Sequence, residues 1–210
     1  MQITTPKRSE LLRASPPMFR SRWLDALSRV HPAVPAVIFG PVTAVTFVVG
    51  ADRLGVANAI GAALLGYVVW TLTEYWLHRL VFHFEPEDGI GARLHWIIHG
   101  VHHDHPNDPL RLVMPPSVSV PLATLFYVAF VAVLGPDWGL AAFSGFIGGY
   151  LFYDMTHYYV HHHSPRSRLG RRLRELHMRH HFQDDTAGYG VSAPWWDRVF
   201  GTALDPRRRG

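Results

Sequence analysis

Fifteen of the 210 residues are histidine, and fourteen of these fall in four short stretches. The first holds His78 and His83. The second holds His95, His99, His102, His103 and His105. The third holds His157, His161, His162 and His163, and the fourth His177, His180 and His181. Neutral imidazole binds Fe, Zn, Cu and Ni, so such clustering points to metal chemistry without choosing the metal. The spacing adds to this. His99, His102 and His103 stand at i, i+3, i+4 and share one helix face, as do His177, His180 and His181, while His157 and His161 stand at i, i+4. His78 and His83 stand at i, i+5, about 140° apart on an ideal helix, so they need a helix end or a distortion to converge. Ten imidazoles exceed the four ligands of one tetrahedral site and suffice for two metals with five nitrogens each. The plainer account is a surface scatter or a pH-responsive patch. Four clusters at ligand spacing weigh against it.

Other chemistry is thin. With no cysteine in the chain, disulfides, thiolate zinc sites, cysteine-held iron–sulfur clusters and cysteine nucleophiles are excluded. Carboxylate-bridged di-iron bundles need Glu-x-x-His on two helices; the nearest match is Asp154-x-x-His157. The site is therefore mainly histidine. Glu74 and Asp154 each lie about one turn before a histidine, where carboxylates commonly orient ligating imidazoles. The alternative for Glu74 is an ion pair with Arg79 or another cation.

The elements that position these groups are read from composition. Hydrophobic residues make up 48% of the chain and charged residues 17%, against roughly 25% charged in an average soluble domain. Segments 33–50, 56–77, 117–135 and 138–160 approach the ~20 apolar residues that cross a bilayer. They lack the polar face of a soluble helix. Of 20 Lys and Arg, residues 1–30 and 164–210 hold most, and the links 51–55 and 135–138 hold almost none. Four spans put the basic regions on one side, which the positive-inside rule makes cytoplasmic. Every histidine cluster falls on that side. No nucleic-acid motif accompanies the charge, so the lipid bilayer is the expected partner and nucleic acid is not. The first 30 residues lack the apolar core of a signal peptide; residues 17–30 alternate apolar and basic, as in a segment lying in the membrane interface.

The motifs HRLVFH (78–83), HGVHH (99–103), HYYVH (157–161) and HMRHH (177–181) resemble the histidine boxes of the fatty acid hydroxylase/sterol desaturase superfamily. The flanking EYWLHRLVFHFEP (74–86), LHWIIHGVHHDHPNDPLRLVMPP (94–116), YDMTHYY (153–159) and GYGVSAPWWDRVFGT (188–202) most resemble its fatty acid 2-hydroxylases. The likeness covers about residues 70–202. It implies an all-α, integral membrane fold of about four transmembrane helices, with a cytoplasmic helical cap carrying a dimetal site. One domain spans 1–210: a basic interfacial segment at 1–30, the spans within 33–160, and a cytoplasmic histidine-box tail at 161–210. The implied metal ligands are His78, His83, His99, His102, His103, His157, His161, His177, His180 and His181. His95 is expected just behind them; His105, His162 and His163 extend the boxes without a role, and His31 stands apart.

The resemblance further implies two metal ions, expected to be Fe although zinc can fill such a site in a purified protein, with O2 as co-substrate. The reaction is O2-dependent hydroxylation of a membrane lipid or fatty acyl chain at the carbon beside the carbonyl. Tyr153, Asp154, Tyr158 and Trp195 are candidates for the mouth of the substrate site; the aromatics could equally be interface anchors. Several eukaryotic relatives carry a fused cytochrome b5 domain with a His-Pro-Gly-Gly motif, which His31-Pro32-Ala33-Val34 does not match. A separate electron donor is expected (cytochrome b5-like, ferredoxin or reductase). The Arg-rich composition suits a bacterial inner membrane, with both termini and the site facing the cytoplasm. The rival readings are a carotenoid or sterol hydroxylase or desaturase of the same superfamily, a zinc-binding membrane hydrolase, and a metal transporter.

Overall fold

A computed structural model describes residues 7–205. Arg207, Arg208 and Arg209 of the basic tail lie outside the described residues, as do residues 1–6. Among the described residues the chain is all helical, with no strand. Four long helices carry it: α3 (Val34–Leu54), α4 (Val56–Leu77), α7 (Pro116–Leu134) and α8 (Pro136–His162). Short helices α1 (Arg8–Leu12) and α2 (Arg22–Leu27) precede them. Helices α5 (Gly89–His95) and α6 (Val101–Asp104) lie between α4 and α7, and α9 (Arg168–Phe182) and α10 (Trp195–Val199) follow α8.

Among the described residues three helical segments are long and apolar enough to cross a membrane: Val34–Leu54, Val56–Phe82 and Pro116–Leu134. Their outer faces carry bare aliphatic side chains such as Val45, Leu64, Leu125 and Val133. Pro41 and Pro121 sit inside α3 and α7 without ending them. Helix α8 differs, because it is the one the other three surround. Its Phe143, Phe146, Ile147, Tyr150 and Tyr153 form the core with Phe39 of α3 and Trp70 of α4.

The order of the four helices follows from two glycines. Gly55 (φ 80°) joins α3 to α4 and Gly135 (φ 79°) joins α7 to α8. Each is a one-residue link in the left-handed region that other residues avoid, so each pair must run antiparallel. The two links lie at the same end, where Arg53 and Asp137 pair at 3.1 Å. All four histidine clusters therefore follow from chain leaving the other end.

Helices α4 and α8 approach backbone to backbone. A Cβ on Gly66 would collide with the Ala142 carbonyl, and one on Gly145 with the Ala63 carbonyl. Apolar helices in lipid gain little from hydrophobic burial against each other, and small residues that allow close packing take that role.

The N-terminal segment is strapped across residues 105–111. His105 Nδ1 donates to the Leu11 carbonyl at 2.6 Å. The amides of Asn107 and Val30 donate to the carbonyls of Leu12 and Leu110 at 3.0 and 2.6 Å. Asp25 is the hub. It accepts from the Met18 amide at 2.7 Å and pairs with Arg111 at 2.9 Å and Arg29 at 3.1 Å. Arg111 also donates to the Pro16 carbonyl, and Arg93 to that of Met18.

Gly145→Val should lower the unfolding midpoint in detergent, with overpacking costing at least about 1–3 kcal/mol. Gly61→Ala, on an open face where an added Cβ meets nothing within 4 Å, should change it by less than about 1 kcal/mol. The strap is pH-sensitive. Burial pushes the Asp25 carboxyl up, but the Met18 amide and the two arginines outweigh this and hold it below its ordinary 3.8. A depressed carboxylate stabilises the fold above its unfolded value, and that contribution is lost as pH falls through the folded value. Protection factors for residues 15–30, corrected for the intrinsic pH dependence of amide exchange, should therefore be high at neutral pH, fall below about pH 4, and be low at all pH in Asp25→Asn.

Candidate functional site

The histidines converge by four local devices. The first is a π-helical turn, His78–Phe82, at the end of α4, in which the His83 amide donates to the His78 carbonyl at 3.1 Å. An i to i+5 hydrogen bond widens the turn. It brings two residues that an α-helix would splay apart to an Nε2–Nε2 separation of 3.3 Å. The second is another π-helical turn, Trp96–Gly100, running into α6 and carrying His99, His102 and His103. The third is the last two turns of α8, with His157 and His161. The fourth is α9, whose start is capped by Ser167 Oγ accepting from the Gly170 amide at 3.0 Å. Its His177, His180 and His181 face inward.

These ten side chains form two groups of five. One is His78, His83, His99, His103 and His180; the other is His102, His157, His161, His177 and His181. Within each, one nitrogen per ring lies within 4.8 Å of all the others. The partition follows helix geometry. His99 and His103 (i, i+4) go to the first group and His102 to the second; His177 and His181 (i, i+4) go to the second and His180 to the first. The groups adjoin, with His103 and His181 stacked at a centroid distance of 4.2 Å.

The Nε2 atoms point inward. In the first group His78 and His99 approach to 3.2 Å, His99 and His103 to 3.0 Å, and His83 and His180 to 3.0 Å. In the second, His102 and His157 approach to 3.1 Å, His161 and His177 to 2.8 Å, and His177 and His181 to 3.1 Å. Metal–nitrogen bonds of about 2.1 Å at angles of about 90–109° put neighbouring ligand atoms about 3.0–3.4 Å apart. The donor set thus fits one ion per group.

Tautomer and charge agree. His78 Nδ1 lies 2.6 Å from the Tyr189 carbonyl, and His180 Nδ1 2.8 Å from that of Ala187. A carbonyl only accepts, so both Nδ1 atoms carry hydrogen and both Nε2 lone pairs face inward. Burial, then the neighbouring imidazoles, push His83 and His103 down to about 3. The same causes hold His99, His102, His177 and His181 well below the ordinary histidine value. The rings are neutral, as metal ligation requires.

The carboxylates take other partners. Asp154 accepts from the Met114 amide at 3.4 Å and the Tyr150 hydroxyl at 3.2 Å. Glu74 accepts from the Ser192 amide at 2.7 Å and from the Ser192 hydroxyl. Both are buried, and these groups, not an imidazole, are their hydrogen-bond partners. The alternative pairing of Glu74 with Arg79 is not formed; Arg79 donates to the Tyr75 hydroxyl at 3.0 Å.

Tyr153 is buried and stacks on His157 at 5.7 Å. Tyr158 stacks instead on His162 at 4.4 Å, and Trp195 is exposed at the start of α10. His95 sits 3.8 Å from Glu85, which lies equally far from His83. His163 stacks on Tyr159, and His31 Nδ1 takes the Ala33 amide at 3.2 Å. Tyr189, Ala187, Ser192 and Asp197 were not singled out by the sequence reading. Two of them act through main-chain carbonyls, which have no side-chain signature. Beside Tyr150 a small apolar cleft of about 30 Å³ opens between α4, α7 and α8, lined by Trp70, Leu77, Met114, Phe126 and Ile147.

Fold and cluster together define, among the described residues, an all-helical protein with bilayer-length apolar helices and a histidine-walled core compatible with a metal site. The chain belongs to the fatty acid hydroxylase family, whose model matches residues 63–202. It is 38% identical over 197 residues to the ceramide very long chain fatty acid hydroxylase SCS7 of Saccharomyces cerevisiae, covering 92% of this chain and 51% of that protein. It is 42% identical over 139 residues to the dihydroceramide fatty acyl 2-hydroxylase FAH1 of Arabidopsis thaliana, covering 66% of this chain and 59% of that one. This chain thus spans little more than half the length of these relatives. A solved structure described as full-length scs7p, with only the hydroxylase domain visible, superposes with a TM-score of 0.84. It is 37% identical and covers 88% of this chain and 71% of its own.

Because His177 and His180 belong to different groups, removing each should cost a different ion. Metal analysis of purified His177→Ala and His180→Ala should find one ion per chain fewer than wild type in each, and none in the double variant. Full metal content in all three would overturn the grouping.

Proposed function

We propose that this protein is a membrane-embedded, O2-dependent lipid hydroxylase that places a hydroxyl on carbon 2 of a fatty acyl chain, free or amide-linked. The observation that carries this is the double quintet of neutral imidazoles in a chain whose relatives are named as fatty acyl and ceramide hydroxylases. The overall balance is substrate C–H plus O2, two electrons and two protons, giving C–OH and water.

The ten imidazoles would hold two ions, five each. Such a pair, when redox-active, supplies the oxygen reduction and C–H oxidation that no side chain performs. Zinc has no redox chemistry, which favours iron. The residues do the rest. The Tyr189 and Ala187 carbonyls fix His78 and His180 with their Nε2 lone pairs inward. Glu74 and Asp154, held by the hydrogen bonds described above, keep the walls of the site in place behind the ligands. Tyr153 closes the site against His157, and the small apolar cleft beside Tyr150 marks where an acyl chain would pass between α4, α7 and α8. Tyr158 and Trp195 sit nearer the surface and would meet the polar end of the lipid.

In this reading α8 is a fourth span beside α3, α4 and α7, and residues 78–115 and 161–205 cap the bundle. The positive-inside rule sets that cap and both termini in the cytoplasm, and the Arg-rich composition favours a bacterial inner membrane. Residues 7–30 lie along the interface, where Trp23 is 83% exposed and Leu24 and Leu27 are bare. Electrons reach the site from a separate redox protein: cytochrome b5-like, ferredoxin or reductase.

The test is lipid mass spectrometry on cells with and without the protein, under isotope-labelled O2. We expect fatty acyl chains carrying one labelled oxygen at carbon 2. Label on a sterol or carotenoid instead, or metal uptake with no oxygenated lipid, would overturn the proposal.

A further inference from the structure

The main-chain carbonyls of the loop from Ala187 to Ala193 take hydrogen bonds from rings of the first quintet. Those of Tyr189 and Ala187 accept from His78 and His180, two of the five rings of the first group. In the second group the Nδ1 atoms of His161, His177 and His181 are buried and have no protein partner among the described residues.

The loop is itself held by two buried carboxylates from different elements. Asp197 of α10 accepts from the amides of Tyr189 at 2.8 Å and Gly190 at 2.9 Å, and from the Thr202 hydroxyl at 2.9 Å. The chain wraps this carboxylate so closely that a Cβ on Gly190 would lie 2.9 Å from Asp197 Oδ2. The Gly188 amide donates to the Thr202 carbonyl at 2.9 Å, which closes the loop on itself. At its far end Glu74 of α4 takes the Ser192 amide and hydroxyl. Glu74 lies one turn before His78 on the same helix. The carbonyl and the ring it orients are therefore fixed to one frame.

We propose that Asp197 and Glu74 are positioning residues. They act through the Tyr189 and Ala187 carbonyls and make the group of His78, His83, His99, His103 and His180 the tighter of two unequal metal positions, so that the ions leave in a set order. This rests on the dimetal reading above. The physical reason is preorganisation. A carbonyl on Nδ1 fixes the tautomer, aims Nε2 and raises its basicity, and losing such a partner typically costs about 10–100-fold in metal affinity. Rings of the second group have no such partner on three of their five Nδ1 atoms.

The experiment removes zinc stepwise from the loaded full-length protein in detergent with a graded chelator, counting the ions left per chain. Wild type should release one ion well before the other. His78→Ala should lack the slow-leaving ion, which identifies its position. In Asp197→Asn and Glu74→Gln the tighter ion should weaken by about 10–100-fold, with the looser ion unchanged. A merely structural role would weaken both alike. If neither variant accumulates, Thr202→Val, which removes one hydrogen bond from Asp197 and the partner of the Tyr75 hydroxyl, should show a smaller shift confined to the same ion. Two ions of equal affinity in wild type, or an equal loss at both positions in the variants, would overturn the inference. Fewer than two ions bound by wild type would instead overturn the dimetal reading itself.

Discussion

Ten neutral imidazoles, each within hydrogen-bonding distance of a neighbour, seven buried and three partly buried, form the arrangement on which the rest of this protein depends. Lone pairs that converge in a low-dielectric interior gain nothing by themselves. Protonating the rings would bring like charges together, and burial opposes it further, which is why the rings stay neutral. A bound cation would resolve the convergence. Until one is bound, the covalent frame and the packing around it must hold the rings in place. The rigidity of the helical bundle is thus a condition of the site as well as a means of crossing lipid.

That rigidity comes from a few contacts of unusual closeness. Helices α4 and α8 meet through Gly66 and Gly145 with no side chain between them, and each carries a histidine pair beyond that contact. A change in their spacing would move His78 and His83 against His157 and His161. Single-glycine links and the Arg53–Asp137 pair tie off the opposite end. The open end is where chain length is spent: residues 78–115 and 161–205 fold over it, and residues 7–30 cross the first of these segments through Asp25.

Much of this was legible beforehand. Four apolar segments, four histidine clusters and their common side are matters of composition and period, and the helices lie close to the segments read. The ten converging imidazoles are the ten that the histidine boxes marked. The i, i+5 pair was visible as an irregularity, and its resolution by a π-helical turn is the feature that the spacing required. The carboxylates were harder to place. Glu74 and Asp154 stand out as acids near apolar helices, but spacing along one helix points them at the nearest histidine. Their partners come from distant chain: Ser192 for Glu74, and the Met114 amide for Asp154.

The sequence by itself determined the kind of chemistry, through which side chains exist and at what spacing, because ligand identity and helical period are local properties. Only the tertiary structure decided how those ligands divide. His102 and His103 are neighbours in the chain and belong to different quintets, since adjacent residues on a helix point about 100° apart and the partners that complete each group come from α4, α8 and α9. It also decided which rings are braced, because the bracing groups are main-chain carbonyls of a loop shaped by Asp197 and Glu74. Every residue has a carbonyl, so its role exists only where folding aims it.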